Sequence, residues 1–149
     1  MIKFFYLDQI MKKVKVTAEY PPKEIYDKCV EQFGVSFEKG TVFAVDDKIH
    51  MYKPQQMSDH LMAHETTHIK QQSKHGWQEW WDRYLEDPEF RLLQELEAYH
   101  NQYKFLLENT NRQFRKFVLK RIVKDLSGKM YGNLISPEEA ERVITKEYH

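Results

Sequence analysis

Ser58-Asp59-His60-Leu61-Met62-Ala63-His64-Glu65-Thr66-Thr67-His68-Ile69-Lys70-Gln71-Gln72 is the stretch on which the reading of this 149-residue chain turns. Ser58 is a good N-cap, and the helix it opens is expected to run to His75-Gly76. Inside it lies a His-Glu-x-x-His arrangement. Positions four apart on a helix differ by only about 40°, so His64 and His68 project from one face at a spacing that can grip a single metal ion. Glu65 lies on the same half of the helix, where it can take a proton from metal-bound water. With 7 His and 15 Glu in the chain, chance gives only about 0.03 such motifs per sequence. The motif shares its face with Leu61, Met62 and Ile69, while Thr66, Thr67, Lys70 and Lys74 take the opposite one. Two imidazoles and a carboxylate on an inward face are costly unless something pairs with them, and a metal would.

Outward from this helix, the chain divides into an α+β first part and a mostly helical second part. Val14 to Tyr20 alternates like a strand and stops at Pro21-Pro22, which open a helix with Ile25, Tyr26, Cys29, Val30 and Phe33 as its apolar face and Gly34 as its stop. Thr41 to Val45 and Ile49 to Tyr52 read as strands around an Asp46-Asp47 turn. After the motif helix come the aromatic residues Trp77, Trp80, Trp81 and Tyr84, with the three tryptophans expected in the core or in a lid. Asp87-Pro88 then caps a long helix toward Glu108, Asn111 to Leu126 forms another, and Ser136-Pro137 caps a short last one. With no repeat, linker or low-complexity tract, one domain over residues 1–149 is expected.

A catalytic zinc needs three protein ligands and an open position. The long helix from Pro88 is the natural source of the third. Its face of Leu92, Leu93, Leu96, Tyr99, Tyr103 and Leu107 is flanked by Glu95 and Glu97 and contains His100, and periodicity does not choose among these three. The residues His64 to Gln72, followed by Glu95-Leu96-Glu97-Ala98-Tyr99, resemble gluzincin-like metallopeptidases, in particular small metallopeptidase-like proteins of bacteria and phages. The resemblance covers roughly residues 55 to 105. It implies a zincin-like fold, zinc as the cofactor, hydrolysis of a peptide or protein substrate with Glu65 as general base, and a third ligand that is a glutamate followed by alanine, hence Glu97. An aspartate is common four residues after that glutamate. Here the position is Asn101, a departure that bears on what orients the histidines. On this reading a side-chain donor would help hold the oxyanion, with Tyr131 first and His75 next. Zincin-type peptidases add the substrate as a strand, which implies an edge at Thr41–Val45 or Ile49–Tyr52.

Composition limits the alternatives. The 23 basic and 23 acidic residues cancel, so no whole-molecule attraction to nucleic acid or an anionic membrane is expected. Arg112, Arg115, Lys116, Lys120, Arg121 and Lys124 do cluster on one helix, which keeps a nucleic-acid-associated role as an alternative, though a solvated helix face accounts for them. A zincin-fold structural protein without turnover is the other alternative, and the intact Glu65 speaks against it. Cys29 is the sole cysteine, so no internal disulfide is available and a reducing, cytoplasmic setting is expected. The start of the chain, Met1-Ile2-Lys3-Phe4-Phe5-Tyr6-Leu7-Asp8, does not read as a signal peptide, and no later run is apolar enough to cross a membrane.

Overall fold

The computed structural model describes residues 14–146, so the opening segment lies outside the described residues. Strand β1 (Lys15–Thr17) leads through the two prolines into helix α1 (Lys23–Phe33). That helix stops at Gly34, whose φ of 64° is the left-handed conformation open to a residue without Cβ and whose N–H bonds Val30 O. Strands β2 (Phe43–Val45) and β3 (Lys48–His50) form a hairpin across Asp46-Asp47, with Asp46 at φ 60°. The sheet order is β1-β3-β2, with β3 parallel to β1 and antiparallel to β2, and Ile49 stands opposite both Val16 and Ala44.

The remainder is helical: α2 (Asp59–His75), α3 (Trp77–Glu86), α4 (Pro88–Asn109), α5 (Arg112–Leu126) and α6 (Pro137–Thr145), with a 3₁₀ turn at Lys129–Tyr131 before the last. The caps follow the sequence. Ser58 Oγ accepts from Leu61 N, Asp87 from Glu89 N and Phe90 N, Asn111 from Phe114 N and Ser136 from Glu139 N. Each satisfies backbone donors that the first helical turn leaves unpaired. The result is α+β, and among the described residues no helix is long and apolar enough to cross a membrane.

Two apolar clusters flank the motif helix. On one side α1, the sheet and α3 enclose Phe37, Phe43, Trp80, Trp81 and Tyr84, which makes the tryptophans core residues. On the other, α4, α5 and α6 enclose Leu92, Tyr103, Ile122, Leu126 and Ile144. α2 runs between them and packs most extensively on α4.

This central position changes two expectations. Thr66 and Thr67 are buried rather than solvated, because α2 has protein on nearly every side of its middle turns. Thr67 Oγ1 donates to Ala63 O and accepts from Asn101 Nδ2. On α4, Leu93 is 63% exposed and drops out of the expected face. The helix buries two stripes instead. Leu92, Leu96, Tyr99 and Tyr103 pack toward α5 and α6, while a stripe about one residue round carries the buried Arg91, Glu95, Ala98 and Gln102.

Candidate metal centre

Three donor atoms from the two central helices converge. His64 Nε2 and His68 Nε2 are 3.2 Å apart, and Glu95 Oε1 lies 3.1 Å from the first and 2.9 Å from the second. All three residues are buried, and they form the cluster that could hold a metal ion. A tetrahedral site with bonds of about 2.0–2.1 Å has ligand–ligand edges of about 3.4 Å, close to this triangle.

The hydrogen bonds behind these three side chains fix which atoms carry protons. Gln71 Nε2 donates to Gln94 O and to Glu97 Oε1, both of which can only accept, so Gln71 Oε1 must be the atom facing His68. His68 Nδ1 therefore carries a proton and donates it to Gln71 Oε1 at 2.9 Å. Gln102 does the same for His64: its Oε1 accepts from His64 Nδ1 at 3.0 Å, and its amide nitrogen reaches His60 Nδ1. Both Nε2 lone pairs are thus aimed at each other and at a carboxylate. One added proton can answer only part of this. Burial pushes the His68 imidazole down, yet the charge and hydrogen bond of Glu95 outweigh it and lift His68 to about 9. Burial likewise pushes Glu95 up, but His68 and His64 hold it well below the usual carboxylate range. A divalent cation would satisfy all three contacts together, and the donor set suits one.

The second oxygen of Glu95 is also held. Tyr84 OH donates to Oε2 at 2.6 Å and Tyr131 OH at 3.3 Å, leaving Oε1 for the histidines. Burial first, and then the Glu95 charge, push both phenols well above their ordinary range, so they stay protonated donors. Tyr99 packs its ring on His64 at 4.4 Å and shares a hydrogen bond with Tyr131.

The residues expected from sequence fall into place unequally. His64, His68 and Glu65 come together, with Glu65 Oε1 3.9 Å from His64 Nε2 and its carboxylate on the wall of a cleft of about 1000 Å³. Burial pushes Glu65 above the ordinary carboxylate range, partly offset by the two histidines. The glutamate that converges is Glu95, not Glu97. The two differ by about 200° around the helix, so only one can reach the two histidines. Glu97 is exposed and acts one step back, on Gln71. His100 faces away, its Nδ1 bonded to Ile144 O. Tyr131 reaches the cluster through Glu95, whereas His75 is exposed at the far end of α2. Tyr84, Gln71 and Gln102 were not singled out from sequence. The last two do have a helical signal, since Gln71 follows His68 by three and Gln102 follows Glu95 by seven.

The edges of the sheet also differ from expectation. β3 is the central strand and offers no edge, so β2 alone borders the cleft. Part of that border is taken: Gln72 Nε2 and Trp81 Nε1 both donate to Ala44 O, and Gln72 Oε1 accepts from Asp46 N.

Compared with known proteins, the chain matches no family model, no curated protein and no solved structure.

A prediction follows from the two glutamines. Gln102→Leu keeps the shape but leaves the His64 Nδ1–H unpaired and the ring free to turn. Metal affinity is expected to fall by about 10–100-fold, read by competition with a chromogenic zinc chelator, while the far-UV circular dichroism stays unchanged.

Proposed function

We propose that the protein is a zinc-dependent hydrolase of the zincin type that cleaves peptide bonds. The observation that carries this is the convergence of His64, His68 and Glu95 at ligand spacing, with Glu65 beside them on the wall of an open cleft. Zinc, when bound, supplies a Lewis acid that makes water a stronger acid and polarises a carbonyl.

The chain's own residues do the rest. His64, His68 and Glu95 are the ligands, and Gln102, Gln71 and Tyr84 keep their donor atoms aimed inward. Glu65 takes a proton from the attacking water and passes it to the departing amine. Its burial raises the affinity for that proton while it is held. Tyr131 lines the cleft and is our choice for steadying the developing oxyanion, its single O–H turning from the long contact with Glu95 Oε2, which keeps Tyr84 as its donor. A substrate strand would lie along β2 near Val42, before Gln72 and Trp81 close the edge. The single buried Cys29 suits a reducing cytoplasm.

The test is fragment release from an unstructured protein, followed by mass spectrometry. Cleavage that stops with a chelator and returns with zinc supports the proposal. Zinc-loaded protein that never cleaves any peptide or protein offered would contradict it and favour a zincin-fold binding protein.

A further inference from the structure

The cleft has walls whose chemistry is independent of the metal cluster. Along α5, the lining residues Phe114, Phe117, Val118, Arg121, Ile122 and Asp125 recur at three- and four-residue steps, so one face of that helix is turned to the cleft. Phe114 is 40% exposed and Phe117 59%.

Charge on these walls is one-sided. Lys39, Arg121, Lys124 and Lys129 line the cleft and are exposed, against Asp125 as the one carboxylate outside the metal cluster and Glu65. Among the described residues, no carboxylate comes within 4.0 Å of any of the four cations. A chain with zero formal charge overall therefore places four exposed cations at this cleft, with Asp125 near enough to Arg121 and Lys124 to feel their charge but not in contact with either.

We propose that the cleft selects an acidic polypeptide segment carrying a large apolar side chain. Its carboxylates meet Arg121, Lys124, Lys129 and Lys39, and its apolar group seats on Phe114 and Phe117. This deepens the peptidase reading and rests on it. A nucleic-acid strand fits less well. The same walls carry His64, Glu65 and Glu95, whose proposed chemistry acts on a polypeptide.

The experiment uses the zinc-loaded full chain with Glu65→Gln to prevent turnover. Three short fluorescein-labelled peptides share a Leu-Phe centre and carry acidic, neutral or basic flanks. Exposed ion pairs are individually weak, so the expected preference for the acidic over the basic peptide is about tenfold by fluorescence anisotropy. It should shrink when salt rises from about 50 mM to about 300 mM. Adding Arg121→Glu and Lys124→Glu together should reverse the order. Equal affinities, a preference for the basic peptide, or no peptide binding would overturn the proposal. So would an oligothymidylate that binds through the same two residues while no peptide does, which would make nucleic acid the occupant. Metal content and cleavage by the unmutated chain are scored separately. Charge preference without metal or turnover overturns only the peptidase reading, and turnover without charge preference overturns only this one.

Discussion

Glu65→Gln is expected to lower kcat by about 10³-fold while leaving zinc content and substrate affinity nearly unchanged. The amide is almost isosteric with the carboxylate, so the packing around this buried position survives. What disappears is the ability to accept a proton from water. Folding stability should not suffer, because burial already disfavours the charged form of Glu65. The ratio of kcat values, with metal content measured on the same samples, separates loss of the base from loss of the ion. A variant that keeps activity within a few-fold of wild type would remove Glu65 from the chemistry.

Zinc itself should produce the second large effect. Three donors already stand at ligand spacing in the folded chain, and the unfolded chain has no such site, so binding is linked to folding. At a zinc concentration about 1,000 times Kd, the linkage is worth about 4 kcal/mol. For a chain of this size that corresponds to a rise in Tm of about 10 °C. His68→Ala should abolish the rise, because it removes the imidazole that meets both other donors. Scanning calorimetry with and without zinc, on wild type and variant, reads this directly. An equal rise in both proteins would mean that zinc binds elsewhere.

The contrast between the motif and its third partner shows what a sequence can carry. His64, Glu65 and His68 were legible because their geometry is local: one helix and a four-residue step put both imidazoles on one face. The capping residues Ser58, Asp87 and Ser136 were legible for the same reason, since each acts within three residues of itself. Glu95 could not be separated from Glu97 by period alone. The apolar stripe of α4 marks the side packed on α5 and α6, while a second buried stripe carries Arg91, Glu95 and Gln102, which read as polar, and the last two of these meet α2. Their burial comes from tertiary partners: Arg91 bonds the carbonyls of Tyr84 and Met130, and Gln102 bonds His64. The glutamate–alanine pattern pointed to Glu97, and the helix turns that residue outward. Phe114 and Phe117 of α5 line the cleft, and how a helix face is divided between core and cleft depends on which neighbours reach it.

The proposed function stands on one metal ion held by His64, His68 and Glu95. Native mass spectrometry of chelator-free protein reads its metal content, for wild type beside Glu95→Ala and Glu97→Ala. About one zinc per chain is expected in wild type, none in Glu95→Ala, and a retained but weaker zinc in Glu97→Ala, which loses only the support of Gln71. Zinc that persists in Glu95→Ala and vanishes in Glu97→Ala, or that never binds the wild type when added back, would contradict it.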